Sequence, residues 1–165
     1  MAEHSRAVLW GVAGVLLVAV MAAAVVRVWP LLHPPGVVRG TPEAGCDLRQ
    51  GPCRVHFSDG ATVTLAVTPR TLAPLVPLHL EVQVSGPAVT GPVEVDITGL
   101  NMNMGFNRPR LAPAGPDTWA GEAIIPVCTL ARMDWEALVL LPVADGLRGA
   151  PFRFSTYRAD AGLTE

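Results

Sequence analysis

Residues 78–100 read LHLEVQVSGPAVTGPVEVDITGL, and the fold turns on how this stretch is read. Leu78, Leu80, Val82 and Val84 alternate with His79, Glu81 and Gln83, the two-residue period of a strand with one buried face and one wet face. Ser85-Gly86-Pro87 is a turn signal, after which Val93, Val95 and Ile97 repeat the alternation. Beyond Gly99 the apolar parity flips to Leu100, Met102, Met104 and Phe106. A bulge at Gly99 is expected to hold all of these on one face, since without it Asn101 and Asn103 would enter the core unpartnered.

Working outward, residues 53–67, CRVHFSDGATVTLAV, predict a hairpin whose register is set by the loop length. A two-residue turn would put the apolar residues of the two strands on opposite faces. A three-residue loop, Ser58-Asp59-Gly60 with Gly60 left-handed, pairs Val55 with Val63 and Cys53 with Leu65 and gives one core face, leaving His56 outward. Toward the C-terminus, TWAGEAIIPV places Trp119, Gly121, Ala123, Ile125 and Val127 on one side. MDWEALVLLP offers Trp135, Ala137, Val139 and Leu141, and PFRFSTY points Phe152 and Phe154 inward. Seven or eight short strands, with no helical stretch long enough for a crossover, predict an all-β domain: an immunoglobulin-like antiparallel β-sandwich, with an eight-stranded barrel as the alternative.

The N-terminus differs. Ala7 to Val26 is a run of twenty uncharged residues between Arg6 and Arg27, long enough to span a bilayer as a helix and without a polar face. A cleaved signal peptide is the rival, with Ala22 to Ala24 as the small-residue site, but the run is longer than a usual signal core. The expected organisation is an anchor with a cytoplasmic stub over residues 1–29, a proline-rich spacer over 30–45 and an exported domain over 46–165. Arginines flank both ends of the span, so charge does not orient it. Cys46 and Cys53, with six residues between them, suit a small disulfide loop and none of the common zinc spacings. That favours a single-pass protein of the inner (plasma) membrane with its C-terminal domain periplasmic or otherwise extracytoplasmic.

Composition excludes several classes. The net charge is −2 and 16% of residues are charged, which gives no electrostatic case for nucleic acid. All twelve basic residues are arginines, so Schiff-base lysines and P-loop lysines are ruled out. Glu94, Asp96, Asp134 and Glu136 occupy outward strand positions that usually mark a wet face, and Ser58, Ser85 and Ser155 lie in no nucleophile elbow. No enzyme motif and no small-molecule substrate is identified.

The remaining chemistry is soft sulfur. Met102 and Met104, Cys128, and Met133 five residues later are the ligand types that select Cu(I). The competing reading makes the methionines core filler and Cys128 an inert buried thiol. His56, near Cys53, and His33 in the spacer are scattered histidines of the kind that are mostly solvated.

The stretch from Pro77 to Pro142, with residues 78–100 as quoted, NMNMG, TWAGEA and RMDWEALVLL, resembles the FixH and YtkA-like families of membrane-anchored, exported immunoglobulin-like domains. It covers about two fifths of the chain. The resemblance implies one N-terminal span, an exported β-sandwich, and an accessory role in copper handling or cytochrome oxidase assembly. By the same likeness Met102 and Met104 match the methionine-bearing strand and Trp135 the tryptophan after the last cysteine. Asn101 and Asn103 stand where those families carry histidine beside the methionines. The expectation is a membrane-tethered binding or assembly module for Cu(I), with a metal-free module docking on a larger membrane complex as the alternative.

Overall fold

The computed structural model describes residues 2–32 and 36–158, in two compact units that meet at Gly36 and Val37. His33 of the spacer, with Pro34 and Pro35, lies outside the described residues.

The first unit is helix α1, Ala2–Leu32. Its segment Trp10–Val28 has a mean hydropathy of 2.4 and none of it is buried within the protein. Nineteen residues at about 1.5 Å each reach roughly the 30 Å of a hydrocarbon core. By length and composition α1 can cross a membrane.

The second unit is a sandwich of ten strands. They are β1 (Val37–Arg39), β2 (Thr41–Pro42), β3 (Cys53–His56), β4 (Thr62–Thr68), β5 (Pro77–Ser85), β6 (Val93–Gly99), β7 (Arg110–Gly115), β8 (Thr118–Ile124), β9 (Arg132–Val143) and β10 (Gly146–Tyr157). They run in the order β1-β10-β9-β6-β7-β8-β5-β4-β3-β2, antiparallel throughout except for the parallel pair β1 and β10. One layer is β1, β10, β9 and β6; the other is β2, β3, β4, β5 and β8.

Both sides of the sandwich are sealed by a chain segment that changes layer. β7 pairs first with β6, through Arg110 and Leu111, and then with β8, through Ala112 to Gly115. On the other side Gly40 separates β1 from β2 and donates its N–H to Gly149 O. A β-carbon at Gly40 would overlap Val55 Cγ1, so the crossing needs a residue without a side chain. Closing both sides leaves few free strand edges, a recurrent risk for exposed sheets. Residues 37–42 are therefore part of the domain. The spacer expected over 30–45 is corrected: its second half is taken into the sheets because Val37 to Arg39 finds a ladder partner on β10.

The predicted hairpin register holds. Val55 faces Val63, Cys53 faces Leu65, and Gly60 has φ of 87° in the three-residue loop. Alternation along β5 is complete, with Leu78, Leu80, Val82 and Val84 buried and the residues between them exposed. Trp135 is fully buried, stacks on Phe154 and donates its indole N–H to Thr156 Oγ1 at 2.9 Å. This satisfies the one polar atom a buried tryptophan carries. Cys46 and Cys53 are disulfide-bonded, their Cα atoms 5.6 Å apart, and Cys128 is free. Reducing the bond should cost about 2–3 kcal/mol for so short a loop. Peptide mapping without reduction, followed by melts with and without reductant, checks both the pairing and the size.

The carboxylates expected to face water form a belt of ion pairs, with Glu136 buried beneath its partners instead of wet. Glu94 meets Arg110, Asp96 meets Arg108, Asp134 meets Arg132, and Glu136 lies between Arg39 and Arg153. At the far end Arg148 Nη1 lies 2.7 Å from Asp59 Oδ2, although none of its N–H bonds is well aimed there, so this is a charge contact more than a directional bond. Two of these carboxylates are held below the usual range of 3.8: Asp134 by the Ser155 hydroxyl first and Arg132 second, Asp59 by Arg148 and then the Ala61 N–H. A depressed carboxylate stabilises the fold above its ordinary pKa, and that stabilisation is lost as pH falls through the lower folded value. Melting temperature should drop below about pH 4. An Asp134→Asn variant should show a shallower acid limb in the same series of melts.

Candidate functional site

The site is built at the end of the sandwich where β6 stops. Gly99 is the last strand residue, and the chain then leaves the sheet instead of bulging and continuing. The expected bulge is overturned by hydrogen bonding. Leu100 N–H donates to Asp134 O, and the Asn101 side chain takes over the ladder against β9. Its Nδ2 donates to Arg132 O at 3.2 Å while its Oδ1 accepts the Asp134 N–H at 3.1 Å. An amide side chain here stands in for a backbone peptide, so the asparagine that could not be buried does not need to be. Asn103 is exposed and its Oδ1 accepts the Gly105 N–H at 2.9 Å, closing a turn in which Gly105 has φ of 79°. The return path pairs with β6 through Asn107 O and Pro109 O. Met102 and Met104 thus sit on the tip of the β6–β7 hairpin.

The connection from β8 to β9 arrives at the same end. Ile125 is buried and its carbonyl accepts the Leu75 N–H, after which Val127 and Cys128 rise to the surface. Arg158 pins this connection by donating from its N–H to Ala131 O and from Nη1 to Thr129 O. The result is a contact between two loops: the Cys128 thiol donates to Met102 Sδ, with the sulfurs 3.5 Å apart. Cys128 is half-buried, and Met102 is 38% exposed.

The other two sulfur residues converge nearby on a different feature. Gly99 presents a bare backbone surface, and a β-carbon there would overlap Met133 Cε and Met102 O and press on Met104 Cγ at 3.2 Å. Met133 is 1% exposed and belongs to the core; Met104 is half-buried against it. The four predicted sulfur residues therefore share one end of the domain in two roles. Cys128 and Met102 form an accessible pair, while Met133 and Met104 fill the space above Gly99.

His56 is not part of this set. It is exposed beside the Ser58–Gly60 loop, where it faces Thr62, at the opposite end of the strands from Gly99. Among the described residues no three of histidine, cysteine, aspartate and glutamate come together as a metal cluster.

The donor set fits a soft monovalent ion. Metal–thiolate bonds near 2.3 Å place two tetrahedral ligands about 3.8 Å apart, a few tenths of an ångström beyond the observed sulfur separation. A thiolate with thioethers, and no oxygen or imidazole, is the combination selective for Cu(I). The sequence pattern singled out these four residues but not Gly99, on which Met104 and Met133 rest, nor Asn101 as the ladder cap. The parity flip at Gly99 was the signal for both. No protein-family model matches the chain, and neither a curated protein nor a solved structure matches it.

Proposed function

We propose that this chain is a membrane-tethered exported binding module that holds Cu(I) between Cys128 and Met102, and serves as an accessory in copper handling or respiratory oxidase assembly. The observation that carries the reading is the 3.5 Å contact of thiol and thioether from two separate loops, on an end of the domain open to solvent. Met104, half-buried beside them, is the candidate third ligand.

The placement in the cell is part of the same proposal. An apolar N-terminal helix and a disulfide between Cys46 and Cys53 support a single-pass protein whose sandwich lies on the extracytoplasmic side of the inner membrane. The strand order supports an immunoglobulin-like reading. β4-β5-β8-β7 and β6-β9-β10, lettered A to G in chain order, reproduce the A-B-E-D and C-F-G sheets of that architecture. Fold resemblance alone assigns no chemistry, so the sulfur geometry carries the metal.

A metal-free docking module is the second reading, and one observation favours it. Phe106, on the same hairpin tip, is 81% exposed, and Val127 beside Cys128 is 56% exposed. Apolar side chains held in water mark contact surfaces more often when they cluster. The test is a Cu(I) competition titration of the full chain in nanodiscs, under conditions that keep Cys46 and Cys53 paired and Cys128 a free thiol. One equivalent of Cu(I) taken from a chelator of micromolar affinity supports the metal site. Failure to compete leaves the docking module.

A further inference from the structure

The two sulfur-bearing loops are hung from one short piece of backbone, residues 129–134. The β6–β7 hairpin grips it through Leu100 and Asn101. The Leu100 N–H donates to Asp134 O at 2.8 Å, Asn101 Oδ1 accepts the Asp134 N–H at 3.1 Å, and Asn101 Nδ2 donates to Arg132 O at 3.2 Å. The β8–β9 connection is held by Arg158, whose backbone N–H donates to Ala131 O at 3.0 Å and whose Nη1 donates to Thr129 O at 2.8 Å. Cys128 is tied to the same piece a third way, because its Sγ accepts the Leu130 N–H at 3.5 Å. Met102 follows Asn101 directly, and Cys128 directly precedes Thr129. Each sulfur therefore sits one residue from a clamped position.

Strand pairing alone would not achieve this. The ladder between β6 and β9 ends where Gly99 faces Trp135, and the residues beyond it would be free to turn without the Asn101 amide. That amide offers a donor and an acceptor in one plane, as a peptide group does, so it fixes the direction of the chain as well as its distance from β9. Two ligands carried on independent loops would have to be ordered when an ion arrives, at a cost in affinity, whereas ligands hung from a shared frame are ordered beforehand.

We propose that Asn101 and Arg158 are positioning residues, which set the separation of Met102 Sδ and Cys128 Sγ and through it the strength of Cu(I) binding. The inference rests on the Cu(I) reading of the sulfur pair. Neither side chain is a soft ligand, and each acts through its neighbour in the chain. Groups that orient metal ligands without touching the metal typically contribute ten- to a hundredfold in affinity.

The test is chelator competition for Cu(I) on the full chain in nanodiscs, comparing the unmodified protein with Asn101→Ala, Met102→Leu and the two combined. Asn101→Ala should weaken binding by about tenfold or more. The same change should have no further effect once Met102 is leucine, because its influence passes through that thioether, whereas a loss of general stability would weaken both backgrounds alike. Arg158→Gln should behave in the same way toward Cys128, with a loss in the unmodified chain and none in Cys128→Ser. Unchanged affinity in Asn101→Ala, or an undiminished loss in the Met102→Leu background, overturns the proposal and leaves the copper reading standing. An unmodified chain that takes up no Cu(I) overturns both. Should Asn101→Ala fail to fold, the cycle of Arg158→Gln with Cys128→Ser decides.

Discussion

Gly99→Ala should lower the stability of the sandwich by about 2–3 kcal/mol, a drop of roughly 10 °C in melting temperature for a domain of this size. The cause is space and not conformation. Gly99 ends β6 with an ordinary negative φ, so alanine is acceptable to the backbone, yet its methyl would overlap Met133 Cε and the carbonyl oxygen of Met102. Met133 is a flexible side chain but is packed into the core at 1% exposure, and the carbonyl is backbone, so neither can yield cheaply. A control separates this from a general intolerance of the hairpin tip. Gly105 has φ of 79° and nothing near a new β-carbon, so Gly105→Ala should cost only about 1 kcal/mol from the left-handed backbone. Thermal melts of both variants check the pair. Equal losses would refute the view that Gly99 is the seat of the methionines.

The larger functional effect is expected at the accessible sulfurs. Cys128→Ser and Met102→Leu should each weaken Cu(I) binding by more than about a hundredfold, beyond what removing a supporting group usually does. Their melting temperatures should stay within a few degrees, because Met102 is exposed and Cys128 only partly buried at the edge of the core. Met133→Leu should behave in the reverse way. It is nearly isosteric in the core, so it should cost under about 1.5 kcal/mol and leave Cu(I) affinity unchanged. Met104→Leu should fall between, since Met104 both packs on the core and sits beside the pair. Chelator competition on the four variants gives the ranking. A uniform loss across all four would mean that the sulfurs act through packing and not as ligands.

Much of the fold was legible because the alternation that builds it is local. The β5 pattern and the Val55–Val63 register could be read directly, since one face must be apolar and a single loop length achieves that. The tip after Gly99 could not. Its course depends on Asn101 replacing a peptide group on β9, a contact across 31 residues that no periodicity encodes. Residues 37–42 failed for a related reason: a short segment with three prolines upstream looks like a spacer until a partner strand, β10, is present to pair with it. At the site, residue type found the four sulfurs, whereas only the fold could divide them, because burial of Met133 follows from its position opposite Thr156 on β10 and exposure of Met102 from the end of β6.

The claim that one ion is held by Cys128 and Met102 is tested most directly by X-ray absorption at the copper edge on the full chain loaded with one equivalent of Cu(I). The account predicts a first shell made of sulfur alone, which loses one sulfur in Cys128→Ser and shows no imidazole scattering. A first shell containing nitrogen, or one unchanged by Cys128→Ser, would contradict it and place the ion elsewhere on the chain.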